Sequence, residues 1–122
     1  MRLFPYTDTA GRLTIGIGRN LTDRGISQTE AMELLDNDIS LAVTDLNTQF
    51  PWSLALDAPR RSVLIQMMFN LGLSRFAGFV NMIASVKRGD YAGAAKAMLD
   101  SEWERQVGVR ATRLAATMAS GS

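Results

Sequence analysis

Asp8 and Thr14 are the residues whose types and spacing could do chemistry. Asp8 stands in Thr7-Asp8-Thr9-Ala10-Gly11, a stretch of turn formers in which an Asp side chain bonds backbone N–H groups and Gly accepts positive φ. Six residues on, Thr14 opens Thr14-Ile15-Gly16-Ile17-Gly18, whose glycines let a chain bend and let a ligand approach its backbone. The chain has no Cys and no His, which removes thiol nucleophiles, imidazole triads and Cys/His metal sites, so acid–base work falls to carboxylates. Taken alone, Asp8 also fits an ordinary Asx turn, and Thr14 an ordinary strand residue.

The rest of the 122 residues must position that stretch. The length favours one domain with a core that needs no metal or disulfide staples, and the composition, 47% hydrophobic and 20% charged, is that of an ordinary globule. Thirteen basic against 12 acidic residues give no reason to expect nucleic acid as a partner. No apolar run is long enough for a membrane span, and no charged-then-apolar signal pattern is read at the start.

Leu13, Ile15 and Ile17 alternate with Thr14, Gly16 and Gly18, the period of a half-buried strand. Strands over 6–9 and 12–18 are therefore expected, as a hairpin or part of a three-stranded sheet; Met1–Tyr6 offers no period, and 20–25 reads as a polar turn. Ser27 and Glu30 have capping-box spacing and predict a helix over 28–48, with Ala31, Leu34, Leu35, Ile39, Ala42, Val43 and Leu46 on its inner face. Asp57 and Pro59 start a second helix whose core, Val63–Leu71, is apolar nearly all round and hence central. Shorter helices are expected near 74–79, 80–88, 91–100, 102–107 and 109–119. Met67 and Met68 read as packing, Gln66 has no assigned role, and Trp52 and Trp103 are either core or sugar-stacking residues. The fold class is α+β, mainly α: a hairpin lobe (1–26), a connecting helix (27–49) and a helical lobe (50–122) in one domain.

The run PYTDTAGRLTIGIGRNL, then GIS-x-x-EA-x-x-LL-x-x-DI, LDAPRRSVLIQMMFNLG, AGF-x-N and WERQVGVRA, resembles the phage-type (T-even) lysozymes and related endolysins in the right order over almost the whole chain. The resemblance implies a lysozyme-like fold and a muramidase that hydrolyses the β-1,4 bond after N-acetylmuramic acid in peptidoglycan, without cofactor or metal. It implies Asp8 as general base and Thr14 as the residue that places water, with Phe69 and Asn70 lining the saccharide cleft. Hydrolysis through an oxocarbenium-like state needs one protonated and one ionised carboxyl group, and an inverting site leaves ~6.5–9.5 Å between them for water. It further implies host cytoplasm followed by release to the periplasm and cell wall.

Two departures from the family pattern follow from the same alignment. The family's acid Glu falls two residues before Met1, outside this chain, as does the first helix that carries it. A shortened form is the expectation, with apolar surface left uncovered and either dimerisation or marginal stability as the consequence. Arg110 aligns with the Arg that pairs with that Glu, while Glu30, Glu33, Glu102 and Glu104 are poor replacements for the acid. Arg19 stands where the family often has His, and Asp38 matches the Asp that binds it, so an Arg19–Asp38 ion pair is expected. Two functional readings stay open: a truncated muramidase, and a non-catalytic remnant that keeps the fold or binds glycan without cleaving it.

Overall fold

The computed structural model describes all 122 residues. The architecture is α+β and mainly α, and it divides into two compact units, Met1–Asn37 and Asp38–Ser122.

The first unit holds a three-stranded antiparallel sheet in the order β1-β2-β3, with β1 at Arg2–Thr7, β2 at Leu13–Gly16 and β3 at Arg19–Asn20. β1 corrects the expectation that strand begins only at Tyr6. Its register with β2 jumps from Arg2↔Gly16 to Tyr6↔Thr14, so Leu3, Phe4 and Pro5 face Ile15 alone across a bulge. A proline with no N–H to donate fits an edge strand at such a place. β2 is shorter than the expected 12–18 because Gly16 and Gly18 take φ of 70° and 87° and turn the chain back into β3. Ile17 therefore sits at the tip of a loop, 86% exposed, instead of under the sheet. Residues 20–25, expected as turn, wind into a single helical turn α1, Leu21–Arg24, capped by the Asn20 side chain, which accepts from the Asp23 N–H.

Helix α2, Gln28–Gln49, starts at the expected capping box: the Glu30 N–H donates to Ser27 Oγ at 3.1 Å and the Ser27 N–H to Glu30 Oε1 at 2.9 Å. Its apolar stripe is only half used. Ala42 and Leu46, in the second unit, are buried, whereas Leu34 and Ile39 are exposed. Side chains at helical spacing become core only where something packs on them, and residues 1–37 bury no apolar side chain.

In the second unit, a 3₁₀ turn over Pro51–Ala55 leads into α3, Ala58–Leu71. Asp57 caps α3 as expected, and Val63, Leu64, Met67, Met68 and Leu71 are buried, as befits a central helix. Five further helices follow: α4 at Leu73–Ala77, α5 at Val80–Lys87, α6 at Tyr91–Leu99, α7 at Glu102–Val107 and α8 at Val109–Ser120. α8 buries Ala111, Leu114, Ala115 and Met118 along one face and packs against α3 and α6. Arg60 closes its last turn, donating to the carbonyls of Met118 (2.7 Å) and Ala119 (3.0 Å) while its guanidinium lies 3.7 Å from the Tyr91 ring centre. No helix is long and apolar enough to cross a membrane.

Candidate functional site

Asp8 and Thr14 meet through the main chain of one residue, Arg12. The Asp8 carboxylate is fixed through Oδ1, which accepts the N–H groups of Ala10 and Arg12, both at 2.9 Å. The Asp8 N–H returns to the Arg12 carbonyl at 2.9 Å, and the Thr14 hydroxyl donates to that same carbonyl at 3.0 Å. The Asx-turn reading of Asp8 is thus correct as local structure. It is also what holds one carboxylate oxygen and leaves Oδ2 without a bond inside the turn. Asp8 is half-buried and Thr14 is buried, the only buried side chain in its unit. With its proton committed to Arg12, the Thr14 oxygen offers its lone pairs as an acceptor.

Arg19 corrects the expected pairing with Asp38. Its guanidinium forms a two-pronged pair with Glu30, Nη1 to Oε1 and Nη2 to Oε2, each at 2.7 Å, and Nη1 also donates to the Gly25 carbonyl at 3.3 Å. Glu30 lies in the first turn of α2, already turned toward the loop by its bond to Ser27, so it reaches the guanidinium that the sequence assigned to Asp38. Hydrogen bonds from Arg19, and then from the Ser27 N–H, hold the Glu30 carboxyl down at about 2, and the same pair raises Arg19 above its ordinary value. The pair borders a groove of about 790 Å³ within the first unit, with Ile15, Ile17, Ile26 and Leu34 on its apolar side.

The second unit carries the other sequence-assigned positions. Asp38 and Phe69 both line a small groove of about 250 Å³, together with Asp45 and Met68. Phe69 is 41% exposed, so it belongs to the surface and not to the core. Asn70 is also exposed, but its Oδ1 accepts from the Nε1–H of the buried Trp103 at 2.9 Å, which resolves Trp103 as core and leaves the Asn70 NH₂ free to donate outward. Gln66 is exposed and bonds Ser62 on its own helix at 3.2 Å. Arg110 is exposed near the start of α8. Of the alternative acids, Glu102 pairs with Arg105 at 2.9 Å on the surface of α7.

Sequence reasoning missed Arg12 and Asp23, whose side chains pair, and the Asn70–Trp103 bond. The turn formers of residues 7–11 signal the turn, but nothing in them marks Arg12 as the residue on which it closes. Nothing in the spacing linked Asn70 to a Trp thirty-three residues on.

The phage lysozyme family model matches residues 1–117, and the chain belongs to that family. Among its relatives are two proteins of Dictyostelium discoideum named probable T4-type lysozyme 1 and probable T4-type lysozyme 2. Each is 25% identical over 150 aligned positions that take in 99% of this chain and 88% of the relative. The pre-baseplate central spike protein Gp5 of Enterobacteria phage T4 is 28% identical over all of this chain, which spans 26% of that protein.

Proposed function

We propose that this chain supplies the water-activating side and the saccharide-binding surface of a peptidoglycan muramidase of the phage lysozyme type. The observation that carries the reading is the Arg12 main chain, which ties the Asp8 carboxylate and the Thr14 hydroxyl to a common anchor. Water bound there gives one hydrogen to the Thr14 oxygen and the other to Asp8 Oδ2, and its oxygen attacks the anomeric carbon as the glycosidic bond breaks. Asp8 takes the proton; the departing sugar oxygen takes another from a carboxylic acid on the opposite face. Phe69 offers a ring face to a sugar, and the Asn70 NH₂, freed by the bond of its oxygen to Trp103, donates to an N-acetyl carbonyl. Arg110, exposed in the second unit, keeps the role that the family resemblance gives it, that of a partner for an acidic group.

Glu30 does not fill that role, because Arg19 and Ser27 keep it ionised at neutral pH, and a general acid must hold its proton. Asp38, which lines the same groove as Phe69, serves as support for its wall. The same observation favours a second reading, in which the chain binds glycan and does not cleave it.

Release of reducing ends from purified sacculi separates the two. The muramidase reading expects hydrolysis that Asp8→Asn lowers by at least ~10²-fold, the usual worth of a positioned general base. Co-sedimentation with sacculi should be unchanged in that variant. Hydrolysis that survives Asp8→Asn overturns the assignment of Asp8, and binding with no release of reducing ends selects the second reading.

A further inference from the structure

We infer that Arg12 and Asp23 are a positioning pair that sets the orientation of the Asp8 carboxylate and the Thr14 hydroxyl. Its chemical consequence rests on the muramidase reading above; its geometry does not. Each bond that orients the two side chains begins or ends on residues 8–12, and Arg12 is the residue they share: its N–H holds Asp8 Oδ1, and its carbonyl holds both the Asp8 N–H and the Thr14 hydroxyl. No apolar packing fixes this turn. Gly11 and Arg12 are exposed, and Leu13 is 45% exposed.

What grips it is α1. The Arg12 Nε–H donates to Asp23 Oδ2, and the Leu13 N–H donates to Thr22 Oγ1 at 2.8 Å. Asp23 is itself held twice by Asn20: the Asn20 Nδ2 donates to Asp23 Oδ2 at 2.9 Å, and the Asp23 N–H donates to Asn20 Oδ1 at 3.1 Å. Asn20 closes the ring, since its backbone pairs with Thr14 in the sheet. The ring therefore runs Thr14, Asn20, Asp23, Arg12 and back to Thr14 and Asp8. Without the Arg12–Asp23 link it opens at its most exposed point.

Both partners of that link are about half exposed, and exposed pairs add little to stability. The pair's effect is thus on geometry: variants should fold and melt as the parent does while the Asp8 side chain loses its single orientation. The test uses Arg12→Gln, Asp23→Asn and the double variant of the 122-residue chain. Three-bond couplings across Asp8 χ1 and amide exchange at Ala10 and Arg12 are read by NMR. Each single variant should average the Asp8 rotamers and speed exchange at both amides by roughly ten-fold, and the double should do no more than the singles, as expected of two residues acting through one link. Where reducing ends are released, kcat should fall about ten-fold with KM within about two-fold, the mark of lost orientation and not lost binding. Arg12→Lys should restore part of both.

Unchanged Asp8 couplings and amide exchange in Arg12→Gln would overturn the pair, as would a double variant whose effects are the sum of the two singles. Asp23→Asn is nearly isosteric and keeps the N–H that Asn20 caps, so it reports even if Arg12→Gln fails to fold. Should the couplings respond while neither Asp8→Asn nor Arg12→Gln alters hydrolysis, the pair stands and the catalytic role of Asp8 falls.

Discussion

The two units are held together by different forces. Every buried apolar side chain lies at Ala42 or later, whereas in residues 1–37 Leu3, Phe4, Ile17, Met32 and Leu34 are exposed and the one buried side chain is the polar Thr14. The helical unit is defined by packing, which is non-directional and summed over many contacts. The hairpin unit is defined by directional bonds: the Asp8 turn, the Arg12–Asp23 and Arg19–Glu30 pairs, and the Asn20 and Ser27 caps. A bond to a fixed backbone atom sets an oxygen's position more narrowly than apolar contact does. The consequence is a unit whose geometry a single polar substitution can undo.

The largest effect should come from opening the packed core. Phe76 is 1% exposed and stands edge-on to Phe50 with ring centres 5.2 Å apart. Phe76→Ala should cost about 3–5 kcal/mol in urea unfolding, since both transfer and cavity costs apply. Ile17→Ala at the loop tip should cost no more than ~0.5 kcal/mol, although it deletes a large apolar side chain too. Equal losses at the two sites would mean that the hairpin unit has a hydrophobic core after all.

That asymmetry also explains what could be read from the residues. Helix starts were legible because caps are local: Ser27/Glu30 and Asp57/Pro59 each act within a turn. The turn was legible as a motif, since Asp8, Thr14 and the residues between them are contiguous. Partners were not. Ala31 to Leu46 carries a proper helical stripe, but whether a stripe is buried depends on what faces it, and only Ala42 and Leu46 found a core. Likeness to a His–Asp arrangement points Arg19 to Asp38, yet the guanidinium pairs with Glu30, the carboxylate already turned toward it by a cap. The turn at Gly16 and Gly18 is hidden in the sequence because alternation alone does not reveal positive φ.

A smaller effect belongs to the one polar bond that ties Trp103 into the helical unit. Asn70→Leu leaves the Trp103 Nε1–H with no partner, at a cost of about 1–3 kcal/mol in urea unfolding and with a shift in tryptophan emission. Adding Trp103→Phe removes the orphaned donor as well, so the double variant should be less destabilised than the sum of the two singles. Strict additivity would show that the bond contributes nothing beyond packing.

The smallest effect, and the most selective for the hairpin unit, is a pH dependence at Glu30. Its carboxyl is lowered from 4.5 to about 2 in the folded chain, chiefly by the hydrogen bonds from Arg19 and then by that from the Ser27 N–H. A lowered acid favours the folded state wherever the carboxyl is ionised in both states, so the contribution is complete above 4.5 and is lost as pH falls toward about 2. Glu30→Gln keeps an oxygen for the Ser27 N–H but gives up the charge that Arg19 binds. Amide exchange at Ser27 and Arg19 should therefore be faster in the variant near neutrality, with the gap from the parent closing as the solution is acidified through that window. Because both side chains are part-exposed, salt should narrow the gap at neutral pH as well. Amides of α3 and α8, whose order comes from packing, should follow neither acid nor salt through this pair. A gap that stays constant with pH would mean that the Ser27 cap alone fixes the start of α2, leaving the Arg19 pair without influence on the hairpin unit.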